Sequence, residues 1–478
     1  MLKIFDLQIE ENKLHPKFEL IRNNLFLTGE QEILKDWIDG FVDRDNKIIK
    51  EFQTTFHSTF WEFYLFAVFK EAGYSVDFQE PRPDFVIEKP NKLYVEAVVA
   101  NIKQTGTKEE ERNLEDILSM ITPFYLQKDF YNSLNEAIVR YSNAIFSKSK
   151  KYIGYYDKKK NKQIKGYIKD NNFDSSAPYM IALSGYEQIN YGNNFYYAMI
   201  ALLYGLYYDN LNDKYIEKKS IIKKDTGSKI DLGLFLNEDM KHISAIIFSS
   251  TLTLGKLTSL AISQQKSSLK TNSVLNIKLD NEPPYYKLQL VSEENPEYLS
   301  DGLLIFHNPF AENPIDKDLF KNTNAINIFV DIDNKIISFE GNNLPLVSRL
   351  NLFAGEIFFK NSVYQISESL NPNILSIFAD VIAINDMEVM FKNIDNNQEF
   401  KIKFEQDKFV EYALKENDKF FIQFLVEKDN DIEFKTIEQF EMYWKMKKIL
   451  CLELGEGCIL IDFRKIEKEK IKGAKIIM

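Results

Sequence analysis

Apolar side chains recur near every fourth position from Phe52 to Ala72, at Phe52, Phe56, Phe60, Phe63, Ala67 and Val68. That spacing predicts a helix, with Gly73 as its stop. A shorter helix is predicted through Gln31 to Phe41. After Gly73 the pattern changes to short runs rich in β-branched residues. Phe85-Val86-Ile87 and Leu93 to Ala100 read as two strands, with turn chemistry at Lys89-Pro90-Asn91 between them. A helical region is predicted from about Glu109 to Tyr152, interrupted at Pro123, and a Lys-rich loop after it. Tyr179 to Leu183 reads as a buried strand, Phe195 to Tyr208 as a buried helix and Ile243 to Phe248 as a strand. Strands and helices in this order indicate an α/β fold.

Beyond Leu346 the texture is different. Ile374 to Ile384, Met387 to Phe391, Glu399 to Phe404 and Lys419 to Val426 read as successive strands with Asn/Asp turns. The expected organisation is an N-terminal segment over 1–50, an α/β domain over 51–345, and a small β-rich domain over 346–478, for which a barrel is one arrangement.

Composition changes this picture only at the margins. With 478 residues, 45 % hydrophobic and 27 % charged, the chain can bury more than one core. Two cysteines, Cys451 and Cys458, and four histidines cannot build a four-ligand zinc site of the usual kind or a disulfide framework. A reducing, cytoplasmic location is therefore expected. The longest apolar stretch is too short to span a bilayer, so no membrane partner is expected. A net charge of −11 argues against a protein that coats nucleic acid, but leaves room for a local basic groove. Lys150, Lys151, Lys158 and Lys159, in the Lys-rich stretch, are the candidates for such contacts.

The candidate chemistry lies in three acids. Glu62 is the only charge between Phe60 and Phe69, inside a helix that is apolar on nearly every face. Asp84 opens a strand after Pro83, and Glu96 sits mid-strand among valines. A buried carboxylate is costly unless a cation or a hydrogen-bond network compensates it. With a hairpin centred on Pro90, Asp84 and Glu96 fall opposite each other, about 4.5–5.5 Å apart at Cβ. Two anions so placed could share one divalent ion, and hard oxygen ligands suit Mg²⁺ or Mn²⁺. Such an ion suits phosphodiester hydrolysis.

Glu62, Pro83-Asp84 and Glu96, on helix, hairpin and strand in that order, resemble the PD-(D/E)XK nuclease superfamily over roughly residues 51 to 250. The resemblance implies a restriction-endonuclease-like mixed sheet flanked by helices. It implies Asp84, Glu96 and the carbonyl of Ala97 as metal ligands, with Glu62 as a further ligand or base. DNA is implied as substrate in preference to RNA, and defence against foreign DNA is the setting it suggests. One position departs from the pattern: Val98 stands where the superfamily has a lysine. Lys103 would lie about 23 Å beyond Glu96 on an extended strand, whereas Lys148, near the end of a predicted helix, could supply the amine. The alternative is a non-catalytic interaction or nucleic-acid-binding protein that keeps the fold, favoured by Val98 and the acidic net charge. The β-rich domain is where a second copy or a protein partner is expected to dock. His57 falls on a different helix face from Glu62, and His307 reads as a strand end.

Overall fold

In the computed structural model, residues 2–79, 83–100, 129–157, 159–170, 173–185, 196–267, 272–283, 285–352, 371–430, 432–455 and 457–466 are described. Two sequence candidates, Lys103 and Lys158, and the start of the helical region predicted from Glu109 lie outside them.

A mixed eight-stranded sheet organises the first two-thirds of the chain. Its strands are β1 (Ser75–Asp77), β2 (Phe85–Lys89), β3 (Leu93–Val99), β4 (Tyr179–Ser184), β5 (Ala245–Ser249), β6 (Leu304–His307), β7 (Ile326–Asp331) and β8 (Ile336–Glu340), and they lie side by side in chain order. β1, β2 and β3 form an antiparallel meander, β4 runs parallel to β3, and β5 runs parallel to β4. Both faces of β3 and β4 are covered, which is why these strands read as near-continuous apolar runs.

One face packs against the helices α1 (Thr28–Trp37), α2 (Phe56–Glu71) and, later in the chain, Leu254–Ser263. The other packs against α3 (Phe130–Ile153) and α4 (Tyr197–Tyr204). Along β3 the side chains alternate: Leu93, Val95, Ala97 and Val99 join the α2 core, while Tyr94 and Val98 join the α3 core. Glu96 therefore shares the α3 face.

Several predicted elements change on folding. The helix expected over Phe52 to Ala72 is two, Ile48–Thr54 and α2, because Thr55 leaves helical geometry at φ −117°, ψ 41°. The helix expected through Tyr208 ends at Tyr204. Gly205 adopts φ +72°, donates its N–H to the Ala201 carbonyl, and turns the chain into the strand Leu206–Asp209. The loop expected after Tyr152 carries a hairpin that pairs Gly154–Asp157 with Lys162–Lys165, while Lys148, Lys150 and Lys151 lie in α3 as expected.

The C-terminal region is β-rich. Five antiparallel strands pair in the order Glu399–Lys403, Glu388–Asn393, Ile374–Asn385, Lys419–Val426, Cys458–Ile466. Among the described residues this sheet is open rather than a closed barrel, and the helix Ile437–Leu454, not foreseen from the sequence, packs on its core through Phe440 and Trp444. No helix among the described residues is long and apolar enough to cross a membrane.

Candidate active site

The β2–β3 register pairs Phe85 with Val95, Val86 with Tyr94 and Ile87 with Leu93. One step further sets Asp84 opposite Glu96. Asp84 is fixed from two sides. Its Oδ2 accepts the backbone N–H of Ala97 at 2.8 Å, and its own carbonyl accepts Arg44 Nη2 at 3.1 Å. Arg44 was not singled out by sequence reasoning. Its donors grip backbone carbonyls, of Asp84 and, at 3.5 Å, Pro83, and such contacts leave no side-chain pattern to read.

Lys148 reaches the pair from α3. The buried stripe of that helix runs Leu134, Ile138, Tyr141, Ile145 and Tyr152, and Lys148 occupies the place between the last two. Neighbours hold this turn of helix against the sheet. Tyr179 on β4 donates its hydroxyl to the Lys148 carbonyl at 3.3 Å and stacks on Tyr152 at 4.1 Å, while Ser149 Oγ lies 2.9 Å from His242 Nε2. The result is that Lys148 Nζ sits 2.8 Å from Glu96 Oε2 and 3.3 Å from Asp84 Oδ2. The Lys148 side chain is 11 % exposed and that of Glu96 2 %, whereas Asp84 keeps 31 % and opens the site to solvent.

The charges are unequal to one another. Burial pushes the Glu96 carboxyl up to about 7, and the adjacent Asp84 adds to the rise; Lys148 offsets only part of it. Asp84 is lowered although burial opposes it, because Lys148, the hydrogen bond from Glu96 and the Ala97 N–H all favour its anion. Burial also works against the ammonium, yet Asp84 and Glu96 outweigh it and raise Lys148. Asp84 therefore carries the negative charge and Lys148 the positive one. Glu96 is poised to take or release a proton near neutrality.

Glu62 lies near enough to the pair to feel the charges of Asp84 and Lys148. It retains some solvent contact on α2, which Trp61 Nε1 anchors to the Ala182 carbonyl of β4 at 3.0 Å. Burial, then the charge of Asp84, pushes it up to about 8, so it is protonated at neutral pH. Among the described residues no three His, Cys, Asp or Glu side chains converge closely enough to hold one ion. Asp84 and Glu96 share Lys148, and Glu62 is their electrostatic neighbour.

Lys150, Lys151 and Lys159 are exposed, the first two on α3 and the third in the hairpin turn, where Asp157 Oδ1 accepts its N–H. The histidines stay out of the site. His57 is buried edge-on to His15, and His307 pairs with Asn327 at 2.8 Å. No family model, curated protein or solved structure matches the chain.

Proposed function

We propose that this chain is a metal-dependent nuclease of the restriction-endonuclease-like kind, hydrolysing phosphodiester bonds in DNA. One observation carries the reading: an amine from α3, Lys148, meets Asp84 and Glu96 where the local sequence has Val98 in place of a lysine. Supporting it is the order helix, three-stranded meander, helix and parallel strand formed by α2, β1–β3, α3 and β4.

The donor set fits a divalent ion. Two carboxylates, with a third acid close by, face one ammonium, and burial holds two of the three acids partly protonated for want of positive charge. Mg²⁺ keeps several waters and is commonly held by one or two carboxylates, which is what Asp84 and Glu96 offer. With the Ala97 carbonyl they would hold Mg²⁺ or Mn²⁺. Such an ion, when bound, stabilises charge on the phosphate and lowers the pKa of a water. Lys148 is left to donate from its ammonium to the phosphoryl oxygens as their charge grows. Glu62, whose carboxyl burial and Asp84 push up to about 8, would be a further ligand or base once a bound cation favours its anion. Lys150, Lys151 and Lys159 would track the phosphate backbone by charge alone. Cys451 and Cys458, side by side but not joined by a disulfide, suit the cytoplasm on this reading.

A second reading has one observation behind it. Lys148 already compensates both acids, so the trio could serve as a structural ion pair in a non-catalytic protein. Nicking of supercoiled plasmid in Mg²⁺ or Mn²⁺ separates the two. The enzyme nicks with metal, stops in chelator, and loses activity on Asp84→Ala; a folded wild type inert with either ion leaves the ion-pair reading standing.

A further inference from the structure

The helix Ile437–Leu454 and the strand Cys458–Ile466 follow each other in the C-terminal region, and each carries one of the chain's two cysteines. Cys451 lies in the last turn of the helix, and Cys458 opens the strand. Gly455 and Gly457 make the reversal between them at φ +66° and +65°, and Gly455 donates its N–H to the Cys451 carbonyl at 3.0 Å. From the sheet side, Glu427 donates its N–H to the Gly457 carbonyl at 2.8 Å, and Cys458 joins the ladder opposite Val426. Helix end and strand start are both held, which returns Cys458 to the side of Cys451.

Cys458 Sγ lies 3.9 Å from the Cys451 carbonyl, and the two thiols are within hydrogen-bonding reach of each other. Their surroundings differ. Cys451 is 3 % exposed, in the core with Phe440, Trp444 and Leu452, whereas Cys458 is only half-buried. The hydrogen bond from Cys451 lowers the Cys458 thiol although burial opposes it, and the same bond, then burial, pushes Cys451 up. Packing accounts for Cys451 as a small apolar filler, but gives no reason for a second thiol set against it on the solvent side. Exchange chemistry does: the less buried thiol, which also ionises more readily, attacks, and the buried one beside it resolves.

We propose that Cys451 and Cys458 form a reversible disulfide by exchange with a small-molecule disulfide, latching the end of the helix to the first residue of the strand. The Cys458 thiolate attacks one sulfur of the oxidant and releases the other as a small thiolate, which takes up a proton. The Cys451 thiol then gives up its proton and attacks the Cys458 sulfur of the mixed disulfide, releasing the second small thiol. Two protein thiols are oxidised and one disulfide is reduced to two thiols. Under reducing conditions the latch stands open, and it closes under oxidative load. Nothing in these steps involves Asp84, Glu96 or Lys148, so the latch is independent of whether the chain cleaves DNA.

Incubation of the full chain with oxidised glutathione at pH 8, followed by intact mass and by maleimide labelling after denaturation, tests this. The wild type should end with no glutathione attached and both thiols closed to maleimide, and dithiothreitol should restore both. The oxidised form should also melt at a higher temperature than the reduced one, since the bond closes a loop in the unfolded chain. Cys451→Ser should stop at the mixed disulfide on Cys458, with one glutathione retained. Cys458→Ser should react at least tenfold more slowly, because its remaining thiol is buried. The proposal is overturned if the wild type stays reduced, retains glutathione, or is linked only to a second copy of the chain. Uptake of glutathione by Cys458→Ser as fast as by Cys451→Ser would equally overturn it, since Cys458 would then not be the attacking thiol.

Discussion

Replacing Lys148 by methionine keeps the aliphatic stem on the α3 stripe and removes only the ammonium. Two effects then separate. Without metal, Glu96 and Asp84 lose the charge that lies 2.8 and 3.3 Å away. The gross attraction at the shorter distance is about 6 kcal/mol at an effective dielectric of 20. Removing one partner of a buried pair costs roughly 3–5 kcal/mol. The lower figure applies here, because Asp84 is 31 % exposed and Glu96 can relieve the repulsion by holding its proton. A loss of about 3 kcal/mol corresponds to a fall of roughly 3–5 °C in melting temperature for a chain of this size. With saturating Mn²⁺, the ion supplies the missing positive charge and no ammonium competes for the carboxylates, so the metal-induced rise should be larger in Lys148→Met than in the wild type. Cleavage, in contrast, should not return. Loss of one positioned donor costs on the order of 100-fold or more in rate. Differential scanning fluorimetry with and without Mn²⁺, alongside plasmid nicking, reads both effects. Full cleavage by the variant, or an unaltered melting temperature in chelator, would refute the role given to Lys148.

Other consequences follow from the same charges. Because the Glu96 carboxyl is pushed up to about 7 and a metal needs its anion, Mn²⁺ affinity and cleavage should rise with pH through about 7 and level off above it; a profile flat from pH 6 to 8 would contradict this. Glu62 has a folded-state value raised from 4.5 to about 8, so the stability it contributes is fully present below about 4.5 and is lost as pH climbs through 8. At about 1.4 kcal/mol per unit the loss is at most roughly 5 kcal/mol, and less for a side chain that keeps some solvent contact. Glu62→Gln, permanently neutral, should therefore be more stable than wild type at pH 9 and no more stable at pH 4, as urea titrations at the two pH values would report. Away from the site, Glu297 is buried between Lys256 at 2.6 Å and Arg349, and accepts Asn276 Nδ2 at 2.8 Å as well. Lys256→Met should cost roughly 3–5 kcal/mol by leaving that carboxylate under-compensated, and thermal unfolding of the variant measures it.

The acids were legible because each breaks an otherwise apolar pattern. Glu62, Asp84 and Glu96 stand out against phenylalanines and valines, and counting outward from Pro90 already sets Asp84 opposite Glu96. Lys148 was legible for a related reason: it falls on the stripe that runs from Leu134 to Tyr152. What stayed hidden has no local signature. Arg44 acts on backbone carbonyls forty residues away, and Lys256, Glu297 and Arg349 are drawn together from distant segments of a chain rich in lysine. Element ends were hidden too, since the breaks at Thr55 and Gly205 depend on single-residue backbone geometry within apolar runs that continue across them.

In the proposed function Asp84 and Glu96 share a divalent cation, whose place Lys148 takes when none is bound. Calorimetric titration of Mn²⁺ into the metal-free wild type at pH 8, compared with Glu96→Gln, addresses that point without requiring a substrate. One ion per chain in the wild type, with heat abolished in the variant, is the predicted outcome. Indistinguishable isotherms, or no heat in either protein, would contradict it.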